Sequence, residues 1–318
     1  MADAVLDPDE DLRDAERIDR QLGAMSYREW FFKGVDDTIA AIGDTQQRRI
    51  AEDYYRTERE VYGKHGEAIL AKLQDFLEDR TPQRLKRWAP AASVALEAGC
   101  GTGQYQLGFA RRFRQVIVTD ISYVSLVQAR RIALDEGLTN VTFLASSIEH
   151  LPIADGSVEF VHCNGVIEHV ADPERTIGEI GRVLSATGVA LVLSPNKYTL
   201  YVEPHFRVAG FSLWPLPLRR ALARRFRGKD SFAGLHLRSL RELRGYAKRH
   251  FGEHHVFMLP RRLQTTYRPG PTRALIFALL QAPVVGGLVD AVLNRLLLGV
   301  VPYHILVAFK RPTAPGVR

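Results

Sequence analysis

The stretch "EAGCGTG", residues 97–103, sets an acid two residues ahead of a run with glycine at every second position. Glycine at 99, 101 and 103 lets a backbone turn sharply and come close to a ligand with no side chain in between. Placed between a first strand and a helix, such a turn suits a nucleotide-like ligand. The spacing narrows the choice. A dinucleotide turn would need glycine at position 104, where Gln104 stands, and a P-loop would need Gly-Lys followed by Ser or Thr, which the sequence lacks.

Charge narrows it further. A pyrophosphate would be repelled by Glu97. S-adenosylmethionine carries a sulfonium, an ammonium and a single carboxylate, so Glu97 suits its cations. Asp120 closes the next apolar run, "QVIVTD", about where an acid reaches ribose hydroxyls in α/β nucleotide sites. Its alternative role is to cap the following helix, a task for which Ser122 is better placed.

A methyl carried on a sulfonium is already activated, and a hydroxyl acceptor also benefits from a general base, for which histidine suits neutral pH. Three histidines qualify by position: His169 in "IEHV", beside Glu168; His205 in "VEPHF"; and His236, ahead of a capping box. For His169 a role in fixing the loop weighs evenly with a catalytic one, and for His205 and His236 the alternative is plain surface exposure. His254 and His255 open a strand and are read as structural. A metal would need a third ligand beyond the adjacent Glu168 and His169, so no metal site is assigned. Tyr54, Tyr55 and Tyr62 precede the core, placed either to close over the cofactor or to pack their helix onto the sheet.

The elements that must position these residues follow from apolar patterning. "SVALEA", "QVIVTD", "VTFLAS", "VEFVHCN" and "VALVLSP" read as five strands alternating with helices. The first helix runs through Phe113. Ser122 caps one that ends near Glu136, ahead of Gly137, and Asp172-Pro173 opens another. Ser239 and Glu242 form a capping box for a helix stopping at Gly252. "HHVFML" and "YHILVAF" supply two further strands. The fold class is therefore α/β: a Rossmann-like, seven-stranded, mostly parallel sheet with helices on both faces. Residues 1–45 read as a polar, loosely ordered arm with one aromatic cluster, "YREWFF", and a short docked segment, and 46–90 as helices covering the cofactor. The catalytic domain takes 91–318, with inserts at 197–236 and 262–302.

The 318 residues carry a net charge of +7, unevenly spread: eight acids and three bases in the first twenty, fourteen Lys/Arg against three acids in 207–262. A basic surface meets nucleic acid, anionic lipid or a phosphorylated substrate, or forms ordinary solvated helix faces. Two cysteines are too few for a disulfide scaffold, which points to a reducing, cytoplasmic setting. The acidic start does not read as a signal peptide. The apolar segment 274–302, with the basic stretch 207–249, suggests a greasy acceptor or a membrane surface, against packing on the core or a dimer interface.

"VALEAGCGTGQ", "VIVTDIS", "SSIEHLPIADGSVEFVHCNGVIEHVADP" and "RVLSATGVALVLSPN" resemble the ordered motifs of class I S-adenosylmethionine-dependent methyltransferases. The similarity is nearest to the ubiquinone-biosynthesis-type O-methyltransferases and relatives acting on small molecules and glycans. It implies that Glu97 and the turn Gly99-Cys100-Gly101-Thr102-Gly103-Gln104 hold the methionine end. Asp120 would hold the ribose, and Ile121 would pack on adenine. Ser147 takes the place of the family's adenine-edge acid, leaving the Ile148 backbone for that contact. Asn164 would lie beside the methionine end, with Glu168 and His169 on the active-site floor. The implied activity is methyl transfer to a small-molecule, lipid-like or glycan-linked acceptor, at oxygen. RNA or protein methylation and a non-catalytic binding module are the alternatives. No RNA-binding module is recognisable.

Overall fold

The computed structural model describes residues 7–23, 25–43, 45–85, 89–101, 103–198, 215, 217–218, 237–257 and 303–310. Seven strands form one sheet: β1 Val94–Ala98, β2 Gln115–Asp120, β3 Val141–Ala145, β4 Val158–Asn164, β5 Leu184–Pro195, β6 His254–Phe257 and β7 Tyr303–Phe309. Their order is β3-β2-β1-β4-β5-β7-β6. Only β7 runs against its neighbours β5 and β6. The expected α/β class and the strand count both hold. The strand order reverses between β1 and β4, the place where sheets of this kind open a ligand crevice at the carboxyl ends of their strands.

Alternation along each strand divides the core between two faces. Leu96, Ala98, Val161, Cys163, Ala190 and Val192 pack with Ile177 and Ile180 of α8 (Pro173–Val183) and Leu243 of α9 (Leu240–His250). Ala95, Val116, Phe160 and Leu191 face the other way, onto α4 (His65–Arg80), α6 (Tyr105–Ala110) and α7 (Tyr123–Asp135). The expected caps are present. Ser122 Oγ accepts from Ser125 N, Asp172 Oδ1 from Arg175 N, and Ser239 and Glu242 complete a reciprocal capping box. Each such cap holds roughly 1 kcal/mol of helix stability.

The N-terminal region departs from expectation. In place of a loose arm it forms α1 (Pro8–Leu22) and α2 (Tyr27–Ala40), followed by α3 (Thr45–Val61) and the four-residue α5 (Pro82–Leu85) after α4. Composition misleads here because the apolar stripe is thin. Ala15, Ile18 and Leu22 recur at helical spacing and are buried among Tyr27, Leu107 and Ile132. The fourth member of the stripe is an acid: Asp11 is buried because it accepts from Ser122 Oγ (2.8 Å) and from Tyr123 N at the start of α7. Smaller differences are end effects: α6 stops at Ala110, α9 at His250, and β5 begins early, at Leu184. Among the described residues no helix is long and apolar enough to cross a membrane.

Candidate active site

The glycine turn leaves β1 with Gly99 N and Cys100 N both donating to Thr119 O at 2.9 Å. Gly99, Gly101 and Gly103 take φ of +77°, +48° and +72°, so all three positions need glycine for conformation. What lies beside them differs. A Cβ on Gly99 would stand 2.4 Å from Val166 Cγ2, and one on Gly103 would stand 2.7 Å from Ala129 Cβ. Among the described residues a Cβ on Gly101 would meet nothing within 4 Å. Two of the three glycines therefore let protein approach protein, and Gly101 alone borders open space. Gln104 opens α6 without a side-chain capping bond.

Asp120 braces this turn. Its Oδ2 accepts from Gly101 N and its Oδ1 from Ser122 N, both at 2.9 Å. Next to it the Ile121 side chain is 59% exposed, an apolar surface held open to solvent at the mouth of the crevice. Ser147 Oγ accepts from Glu149 N, and the neighbouring Ile148 is buried. Asn164 Nδ2 donates to Tyr105 OH at 2.7 Å.

Glu97 is almost wholly buried, with Oε1 3.5 Å from His162 Nδ1. Among the described residues its Oε2 has no hydrogen-bond partner. Burial raises its carboxyl pKa, His162 opposes that shift, and Asp120 adds to it. Cys100 and Cys163 are buried thiols whose pKa is pushed far up by the same desolvation, so neither is a nucleophile at neutral pH.

Residues 96–192 match the family described as "Methyltransferase domain". That stretch is a methyltransferase domain of the class I S-adenosylmethionine-dependent type. A protein of Mycobacterium tuberculosis named as a probable S-adenosylmethionine-dependent methyltransferase is 35% identical over 117 residues, 37% of this chain and 40% of that one. A malonyl-[acyl-carrier protein] O-methyltransferase of a Methylovorus species is 33% identical over 136 residues, 41% of this chain and 46% of that one. A tRNA 5-carboxymethoxyuridine methyltransferase of Escherichia coli is 28% identical over 172 residues, covering 52% and 62%. The match thus spans less than half of the first two relatives.

S-adenosylmethionine is the cofactor of the methyltransferase domain, and the residues fit it. A buried carboxylate oxygen with no partner among the described residues answers an ammonium, Gly101 leaves the turn open on one side, and Ile121 offers an exposed apolar surface. On the acceptor side the expected pair separates. Glu168 is 2% exposed, whereas His169 is on the surface, its N–H closing a turn onto Val166 O at 2.9 Å. The two do not face one way. Among the described residues no group of three or more His, Cys, Asp or Glu is placed to hold a metal. His205, His236 and the segment 274–302 lie outside the described residues.

The tyrosines ahead of the core divide too. Tyr62 packs edge-on against Phe32 at 5.8 Å, with Arg28 over its ring, and burial raises its phenol. Tyr55 lines a cavity of about 570 Å³ with Trp30 and Phe31. Both serve the joint between α2 and α3. The Tyr54 side chain lies outside the described residues. Sequence reasoning passed over His162 and Tyr105. His162 stands two residues before Asn164, so alternation alone puts both on one face; that it pairs with Glu97 depends on the β1–β4 register.

Proposed function

We propose that the chain transfers a methyl group from S-adenosylmethionine to oxygen of a small-molecule, lipid-like or glycan-linked acceptor. The observation that carries the cofactor half of this reading is the buried Glu97 Oε2, which has no hydrogen-bond partner among the described residues, two residues ahead of the glycine turn. The O-methyltransferase among the relatives supports oxygen as the target.

When bound, S-adenosylmethionine supplies a methyl group on a positively charged sulfur. The chain's residues bind and orient. Glu97 takes the ammonium, and Asp120, already held by Gly101 N and Ser122 N, presents its remaining lone pairs to the ribose. Ile121 covers one face of the adenine, the Ile148 backbone with Ser147 meets its edge, and Asn164 stands at the methionine end. The backbone of Gly99, Cys100, Gly101, Gly103 and Gln104 lines the methionine end, and Gly101 keeps a side chain out of that space. Holding an acceptor oxygen in line with the sulfur–methyl bond removes much of the barrier by orientation alone. His169 or His205 takes the acceptor's proton, and Glu168 shapes the floor beneath.

The test is labelled-methyl incorporation into separated lipid, glycan, protein and RNA fractions, with His169→Ala and His205→Ala alongside. Label in a lipid, glycan or small-molecule fraction, with one histidine variant losing turnover at unchanged cofactor affinity, is expected. Label in RNA alone favours the second reading, which rests on the tRNA methyltransferase relative and the basic stretch 207–262. Tight cofactor binding with no label anywhere would leave a non-catalytic module.

A further inference from the structure

Glu97 and His162 form an unusual pair. They are register partners on adjacent parallel strands, β1 and β4, so their side chains stand side by side on one face of the sheet. Both are buried, at 2% and 1% exposure. Neither is satisfied. Glu97 Oε2, His162 Nδ1 and His162 Nε2 all lack hydrogen bonds among the described residues, and the 3.5 Å approach of Glu97 Oε1 to Nδ1 is the pair's shortest contact. Aromatic rings wall the imidazole in: Tyr105 at 4.6 Å, Phe109 at 5.3 Å and Phe160 at 6.5 Å between centroids. Water cannot screen a charge there, and a lone buried anion is costly. A carboxylate and an imidazole in such a place favour holding one cation between them.

The other charged or titratable groups around the pair do not supply that cation. From β2 comes Asp120, an anion that raises Glu97 further. The turn contributes the Cys100 thiol, and the far face of the sheet contributes the Cys163 thiol with Glu168 near it; burial keeps both thiols protonated. Tyr105 comes from α6, and His65 of α4 stands behind its ring at 5.9 Å. Lys72 of α4 stands by Leu191, the neighbour of His162 on β5, and burial lowers its pKa. Among the described residues Glu97 has no ion pair except with His162.

We infer that Glu97 and His162 make a site for a single cation, filled either by one proton shared by the pair or by the cofactor's ammonium, so that cofactor binding expels a proton. His162 is then a positioning residue. It holds the Glu97 carboxylate in place near the end of β1 and yields it to the ammonium when the cofactor arrives. The inference rests on the cofactor reading above. Its sign follows from linkage. The empty pair binds a proton that the occupied pair does not, so affinity rises with pH while that proton is being lost and is level above.

Calorimetric titration of the full chain with S-adenosylhomocysteine, which carries the same ammonium, tests this between about pH 5 and about pH 8. Runs in buffers of differing ionisation enthalpy count the protons released. Wild type is expected to release about one proton per cofactor on the acid side and to lose about tenfold in affinity per pH unit there. His162→Gln keeps an uncharged donor beside Glu97 but cannot hold the proton. It should retain affinity at the alkaline end and move the pH at which the acid limb begins. Methylthioadenosine, which lacks the ammonium, should bind without releasing a proton. Homocysteine-ligand binding with no proton release in wild type overturns the inference and leaves the cofactor reading standing. A His162→Gln profile lowered by one factor at every pH, or proton release by methylthioadenosine, also overturns it. Failure of wild type to bind S-adenosylhomocysteine at any pH overturns the reading and the inference together. The wild-type buffer comparison decides even if the variant does not fold.

Discussion

Alanine at Gly101 and at Gly103 should do opposite things to stability and to binding. Both glycines lie at positive φ, +48° and +72°, where a side chain costs about 1–2 kcal/mol. At Gly103 the new methyl also meets Ala129 Cβ at 2.7 Å and Ala129 Cα at 2.8 Å. Neither atom can swing aside, and overpacking of that kind adds roughly 1–3 kcal/mol. At Gly101 the methyl meets nothing within 4 Å among the described residues. Gly101→Ala should therefore lower the melting midpoint by only a few degrees, on a scale of roughly 2–4 °C per kcal/mol, and Gly103→Ala by clearly more. Ligand reverses the ranking. S-adenosylhomocysteine at about one hundred times its wild-type Kd stabilises by about 2.7 kcal/mol, and a tenfold loss of affinity cuts that to about 1.4 kcal/mol. Gly101→Ala should show at least that cut in thermal scans with and without ligand. Wild-type ligand stabilisation in Gly101→Ala would mean that the cofactor does not pass over this residue. Equal ligand-free stability of the two variants would mean that the contact with Ala129 is not a tight one.

Glu97→Gln should weaken S-adenosylhomocysteine by about 1.5–3 kcal/mol, the range for a charge-assisted hydrogen bond, while methylthioadenosine, with no ammonium, binds as before in calorimetry. Asp11→Ala removes the acceptor for Ser122 Oγ and Tyr123 N; limited proteolysis should then release α1 more readily, at a stability cost of roughly 1 kcal/mol. Glu179 is held below the usual carboxylate range, chiefly by its bonds to Arg182 and also by Leu151 N. Its stabilisation is thus present above the ordinary carboxylate pKa and lost as pH falls through the lowered one. Glu179→Gln should cost about 1.5–3 kcal/mol at neutral pH, with the gap to wild type closing in acid, as read from denaturant midpoints.

The sheet was legible because each of its strands is apolar and bounded by a turn or a cap. "QVIVTD" and "VEFVHCN" became β2 and β4 residue for residue. Caps were legible for a similar reason: Ser122, Asp172 and the Ser239–Glu242 box act on neighbours a few residues away, so the sequence holds both partners. The N-terminal helices were not legible. α1 is mostly charged, and the acid on its buried stripe finds its partner 111 residues away, on Ser122. No local pattern reports such a bond. An acid in the apolar stripe of an amphipathic helix normally argues against burial. Here it is buried because α7 needs an acceptor at its first turn.

The site divides along the same line. The acid–glycine spacing identified the turn, yet it could not say which glycine meets the ligand. Gly99 is fixed by Val166, from the loop after β4, and Gly103 by Ala129 on α7, both far along the chain. His162 is the sharper case. In "VEFVHCN" it reads as one more inward position of a buried strand, where an apolar residue would do. Its meaning comes only from the β1–β4 register, which sets it against Glu97. A one-residue slip of that register would turn His162 to the opposite face and leave Glu97 beside an apolar neighbour. The register is held by its own apolar partners, Ala95 with Phe160 and Leu96 with Val161. The packing that builds the core thus fixes which polar group faces the cofactor's positive end.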